Sequence, residues 1–471
     1  MRILAIAFAI AGLTGCGGSS NNNSVVIAPE LTNLVVAGAK TNLNPDFDSA
    51  VLRYSVLADE SANAITVTPS AEQTLLISVN DTLVASDTPV SVDPALPGDI
   101  VEIEVQNSQG DSLLYELVYL PSDFPELKTT ILSDDVAPGV LYFSLSGPGL
   151  LYVAIVDNYG VPLFYRGEEQ RVTDFKLHAN GQRSYAVRVD GENECGRRSV
   201  EEVLLGVDFE EIERVTTIGL TQTDSHDFLI TENGNQMPMA YNCALRDMTP
   251  YGGEAEQLVE DSVIQEIDQN DQVVFEWNSW EKMGPDGQLR PSATGDYAHV
   301  NSVFEDFDGS LLVSARGTSQ VAKIDRVSGE VLWRLGGTSN QFTFVDDPYS
   351  NLCGQHTASR LDNGNILIFD NGQYCWPESE ARGELTRVVE YELDQEEMTA
   401  KLVWSYVHDT AYSIAAGSAQ RLDNGNTMIG WGRGPATIAT EVDADGNKVL
   451  EMTATANGET VRSYRARKFP E

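Results

Sequence analysis

His226, His299 and His356 stand out among the five histidines of this 471-residue chain, because each precedes an Asn-Gly or Asp-Gly pair by a similar interval. His226 and His356 lie eight residues before Gly234 and Gly364, and His299 lies ten before Gly309. Such pairs are strong hairpin signals, since both residues accept positive φ. The three imidazoles therefore take comparable places at the start of three hairpins. Arg316 stands seven residues beyond Gly309. The legs of a hairpin run back together, so His299, Asn301 and Arg316 are expected to meet at one end of one unit.

Two chemistries suit such a set. Imidazole near neutrality is a nucleophile and a proton carrier, and an arginine fork grips an oxyanion. Three histidines also suit a metal such as zinc. No His-Glu-x-x-His stretch accompanies them and Arg316 would repel a cation, so transfer of an anionic group is the preferred reading and neither metal nor cofactor is assigned. His178 aligns with Thr231, off the shared column, and His408 falls in a separate connection. Both are read as structural or surface residues.

A repeat must position these side chains. Asn180-Gly181, Asn233-Gly234, Asp308-Gly309, Asn363-Gly364 and Asn424-Gly425 mark one hairpin, and turns beginning at Asp157, Asp208, Asp268, Asp325, Asp394 and Asp443 mark a second. Two hairpins make four strands, the blade of a β-propeller. Six second hairpins against five first ones leave one blade short. The alternating tail Val461 to Phe469 is expected to lend that blade its missing strand and close the ring. The expected fold is all-β: a six-bladed propeller over 122–471, preceded by a small antiparallel sandwich over 27–121. In that ring His226, His299 and His356 should face one another across one mouth of the central channel, with Arg316 alongside. Asp443-x-Asp445-Gly446-Asn447 has a calcium-like spacing but reads better as a turn.

Composition narrows the partners. Thirty Lys and Arg against 71 Asp and Glu give a net charge of −41, which argues against nucleic acid and against adsorption to anionic lipid. Residues 1–15 read as an export signal ending in Leu13-Thr14-Gly15-Cys16, a bacterial lipobox whose Cys16 would carry lipid, and 16–26 read as a flexible tether. The expected location is periplasmic or outer-membrane anchored, with membrane contact only through that lipid. Cys195, Cys243, Cys353 and Cys375 remain, an even number that favours disulfides in an exported chain. Pairing by chain order, one of three arrangements, gives Cys195–Cys243 and Cys353–Cys375.

Leu31-x-x-Leu34, Asn44-Pro45-x-Phe47 and Tyr54 resemble cadherin-like sandwich modules. In the second region, Ser225-His226-Asp227-Phe228, His299-Val300-Asn301-Ser302, Ser314-Ala315-Arg316-Gly317 and Gly354-Gln355-His356 occur in order, followed by Leu361-Asp362-Asn363-Gly364-Asn365-Ile366. Together they resemble the bacterial arylsulfate sulfotransferases. The resemblance implies ping-pong transfer of a sulfuryl group from an aryl sulfate to a phenol, with neither a nucleotide sulfate donor nor a metal. It implies that His356 is the nucleophile, that His226 and His299 hold the phenolic oxygen as acid and base, and that Asn301 and Arg316 bind the sulfuryl oxygens. A disulfide shortly before the nucleophile would involve Cys353, and a homodimer joins the implied partners. Two other readings stay open: a propeller that only binds a ligand, and a metal-dependent hydrolase or lactonase.

Overall fold

Short apolar runs punctuated by Asp- and Gly-led turns fold into eight sheets in a computed structural model, which describes residues 27–470 other than 60, 62–63, 94, 286–294, 374–384 and 435. The lipobox with Cys16, the whole tether and Cys375 lie outside the described residues. The chain divides into two compact units, residues 1–122 and 123–471. Among the described residues no helix is long and apolar enough to cross a membrane.

The first unit pairs a three-stranded sheet with a five-stranded one. Ile65–Ala71 buries every second residue, the period of a half-covered strand. The Tyr115 hydroxyl joins the two sheets, accepting from the Leu31 amide at 3.1 Å and donating to the Ser49 carbonyl at 3.0 Å. One pairing departs from the antiparallel pattern: Arg53–Leu57 runs parallel to Ser112–Leu120. Some 60 residues separate these strands in the chain, so no hairpin dictates their relative direction.

The second unit is a ring of six blades. Blade 2 holds Val172–Leu177, Arg183–Glu192, Arg198–Leu205 and Glu211–Val215. Blade 3 begins at Thr223–Ile230, blade 4 at Val300–Glu305, blade 5 at Ala358–Arg360 and blade 6 at Ser418–Arg421. Blade 1 takes Val140–Gly147, Leu150–Val156 and Pro162–Gly167 from the start of the unit and Arg462–Phe469 from the end of the chain. The last strand pairs antiparallel with Val140–Gly147 and so joins the two ends of the ring.

Both turn types have a physical cause. The leading Asp of each second hairpin accepts backbone amides of its own turn: Asp268 those of Asn270 and Gln272, Asp443 those of Asp445 and Asn447. The Asp443 carboxylate is thus spent on a turn. In the first hairpins only the glycine takes positive φ, as at Gly234 (80°) and Gly364 (90°). Its amide bonds the carbonyl three residues back, Thr231 and Leu361 respectively. This is a type I turn closed by a left-handed glycine, so the residue before the glycine needs no positive φ.

Apolar side chains fill the spaces between blades. Met237, Ile264 and Trp277 of blade 3 pack on Val303 and Val313 of blade 4, and Leu312, Val321 and Trp333 of blade 4 on Ile366 and Tyr391 of blade 5. Central strands are therefore buried on both faces, as in Leu311–Ala315. At roughly 25 cal/mol per Å² of apolar surface removed from water, these seams supply most of the favourable energy of the ring.

Candidate active site

Inner strands turn irregular where they meet the channel mouth. Pairing shifts register between Thr223 and Phe228 in blade 3 and between Val300 and Ser302 in blade 4. His299 adopts φ 48° just ahead of its strand, a left-handed conformation uncommon outside glycine. The Arg316 amide, from the return leg, bonds the His299 carbonyl at 3.0 Å. These departures aim side chains into a cavity of about 480 Å³ lined by His226, His299, His356 and Arg316. The rings of His226 and His299 lie 4.8 Å apart between centroids.

Each imidazole is oriented from behind. Asp224 accepts from Nδ1 of His226 at 2.7 Å, and Asp296 accepts from Nδ1 of His299. Arg197 braces Asp296 at 2.5 Å and pairs with Glu260 at 2.9 Å. Asn371 donates through Nδ2 to the carbonyls of Ser413 and Ala416, so its Oδ1 accepts from Nδ1 of His356 at 2.7 Å. All three rings are therefore Nδ1–H tautomers, and Nε2 of each is the acceptor left for chemistry. Arg316 Nη1 donates to Nε2 of His299 at 3.4 Å, and the Ala416 amide donates to Nε2 of His356 at 2.8 Å.

Burial sets the charge states. It pulls His299 down to about 4 against the opposing pull of Asp296. It pushes His356 well below the ordinary imidazole value, helped by the field of Arg316. Burial works to raise Asp296, yet His299 and Arg197 beside it hold this carboxyl down to about 2. At neutral pH His299 and His356 are thus uncharged bases and Asp296 is ionised.

Asn301, expected beside Arg316, is not among the residues lining the cavity. It is fully buried, its Nδ2 donates to the Gln355 carbonyl at 2.9 Å, and its own carbonyl accepts from Arg465 at 2.7 Å. His178 is buried against Ser184 at 2.8 Å, and His408 bonds Glu451 at 2.7 Å, both away from the cavity. Cys195 is joined to Cys243. Cys353, buried three residues before His356, is also disulfide-bonded, and Cys375 lies outside the described residues. Among the described residues no group of three or more His, Cys, Asp or Glu is arranged to hold a metal.

Sequence reasoning passed over Asp224, Asp296, Asn371, Tyr241 and Tyr464, together with the arginines at the rim, Arg171, Arg188 and Arg433. Asp224 and Asp296 stand two and three residues before their histidines, a spacing that could have been read. Tyr241, Asn371 and Arg188 stand seven residues beyond Gly234, Gly364 and Gly181, the interval that placed Arg316, so the same register could have found them; Tyr464, Arg171 and Arg433 carry no such signal.

A six-bladed ring whose axial mouth gathers three base-like imidazoles and a guanidinium defines a β-propeller with the makings of a group-transfer site. The profile of the arylsulfotransferase (ASST) family matches residues 140–465, and the chain belongs to that family. The cadherin-like beta sandwich domain matches residues 31–119. Two curated relatives are named arylsulfate sulfotransferase AssT. The one from Lelliottia amnigena is 37% identical over 62 residues, 13% of this chain and 10% of that protein. The one from Escherichia coli O6:H1 is 30% identical over 167 residues, 29% of this chain and 28% of that protein. Among solved structures, a Bacteroides caccae protein of unknown function aligns at TM-score 0.43 and 13% identity, over 69% of this chain and 99% of its own. Streptogramin B lyase aligns at TM-score 0.37 and 9% identity, over 73% and 98%.

Proposed function

We propose that this chain moves a sulfuryl group from an aryl sulfate to a phenolic acceptor in two half-reactions through a sulfated His356. The observation that carries the reading is the set of tautomers: Nε2 of His226, His299 and His356 serve one cavity that also holds Arg316. In the first half, the Nε2 lone pair of His356 forms the N–S bond while the S–O bond to the aryl group breaks. The His226–His299 pair takes up one proton from solvent as the anionic donor binds, and the phenolate leaves with the S–O electron pair and takes that proton. In the second half an acceptor phenol returns the proton to that pair, and its oxygen attacks sulfur and expels neutral His356.

The partners behind the rings differ in a way that fits these roles. Asp224 and Asp296 stabilise an imidazolium, as a proton carrier requires. Asn371 holds the tautomer of His356 without placing negative charge beside an incoming sulfate. Arg316 faces the oxygens where charge accumulates, usually the largest catalytic contribution. The Ala416 amide occupies the His356 lone pair at rest. Releasing it costs about 1 kcal/mol and frees an N–H for a sulfuryl oxygen.

The test is release of nitrophenol from para-nitrophenyl sulfate, which added phenol should accelerate and chelator should leave alone. Mass spectrometry of the protein reacted with donor alone should find one SO₃ group on the peptide containing His356. Turnover with no such adduct, or sensitivity to chelator, overturns the mechanism. Export and lipid attachment at Cys16 belong to the same proposal and are checked by labelling cells with a fatty-acid analogue.

A further inference from the structure

The cavity that holds the histidines carries more positive charge than one sulfuryl group requires. Its wall includes Arg171, Arg188 and Arg433 besides Arg316, in a chain whose acidic residues outnumber its basic ones 71 to 30. Elsewhere many arginines are matched to carboxylates, as Arg197 is to Glu260 and Asp296, Arg387 to Asp347 and Asp370 and Arg465 to Asp174, while Arg166, Arg183 and Arg334 bond hydroxyl or carbonyl oxygens instead. Among the described residues Arg171, Arg188 and Arg433 pair with no carboxylate. The two carboxylates in the same wall are already engaged, Glu192 by Arg198 at 2.8 Å and Asp224 by His226. Arg171 and Arg433 are exposed at the rim; partial desolvation in the cavity mouth, with the fields of Arg433 and Arg188, pulls the Arg171 pKa down.

These arginines also lie where the cavity continues. A groove of about 520 Å³ shares Arg171, Thr173, Arg433 and Tyr464 with the histidine cavity and runs on past Pro148 and Leu151. Tyr464 spans the two, its ring 6.2 Å from that of His226. A substrate whose sulfuryl group meets His356 thus has room to extend along Tyr464 toward the arginines.

We propose that Arg171, Arg188 and Arg433 form a second anion subsite, which selects aromatic substrates carrying a further anionic substituent: a carboxylate, a sulfonate or a second sulfate. The proposal rests on the sulfotransfer reading for the first group and adds the chemistry of the second. Unpaired guanidinium groups on a concave wall gain most from a ligand that brings the missing negative charge.

The probes are meta-benzenedisulfonate and benzenesulfonate, which bind without reacting and are compared by calorimetry on the full chain. The disulfonate should bind about tenfold more tightly, with the advantage shrinking as salt rises. In R171A/R433A the ratio should fall toward one, and R171K/R433K should keep part of it, separating lost charge from lost fold. Equal affinities in the wild type, or a ratio unchanged in R171A/R433A, overturns the subsite. Turnover of para-nitrophenyl sulfate by the wild type reads the sulfotransfer itself. A disulfonate preference without turnover supports the subsite and removes the sulfotransfer reading, and turnover without preference does the reverse.

Discussion

A histidine is a versatile residue, and what each one does here is decided by the atom behind it. Asp296 opposes the burial that pulls His299 down to about 4. D296N should therefore drive that pKa lower still, and ring-proton NMR against pH reads it directly; a value that rises would contradict the pairing. Asn371 does for His356 what a carboxylate does for the other two, without the charge. N371A should lower kcat about 10²-fold, in the range seen when a ring loses its orienting partner. The nitrogen shifts of His356 should show a mixed tautomer, which a merely structural loss would not produce.

At the level of elements, the segment from Ser413 to Gly417 deserves its own test, because it holds the amide that caps His356. Arg433 pins it through its backbone, bonding Ala415 at 2.9 Å and Ile414 at 3.2 Å. Gly417 follows at φ 110°, and an added Cβ would come 2.3 Å from the Phe369 ring. G417A should destabilise the protein by more than about 1 kcal/mol, since strain and clash act together. It should also disturb turnover beyond the loss of folded protein. Thermal melts beside activity per folded molecule separate the two effects.

On the scale of the whole molecule, one strand decides whether a ring exists. Arg462–Phe469 completes blade 1 and brings Arg465 to Asp174 at 2.8 Å inside the channel. Deleting 462–469 exposes the edge of Val140–Gly147 and strips Asp174 and Asp227 of Arg465 and Asp174 of Arg467, leaving Lys176 as the cation between them, so the truncated chain should fail to form a soluble ring. Acid should loosen the fold before it reaches the carboxylates. Burial holds His178 down to about 3 and His299 to about 4, against 6.5 in ordinary surroundings. Between those values the unfolded chain takes up protons that the fold refuses, so stability is full above the ordinary value and is lost as pH falls through the window. Glu202, raised by burial, works the other way. With several histidines on the losing side, Tm should fall steadily from about pH 7 to about pH 4. A flat Tm across that range would mean that these rings are open to water.

The amino-acid sequence by itself determined the repeat, because turns are local. An Asp that caps its own amides and a glycine that turns left-handed need only neighbours in the chain, so hairpins, blade count and the histidine column were all legible. Tyr464, Arg171 and Arg433 were not, since they come from separate stretches and share no motif, whereas Arg188 lies seven residues beyond Gly181 in the register of Arg316. Asn301 shows the same limit in reverse, for its place in the motif said nothing of the Gln355 carbonyl that claims its amide. Only closure of the ring set distant side chains against one another. Burial there, with the partner held behind each ring, decided which groups are charged and which tautomer each ring adopts.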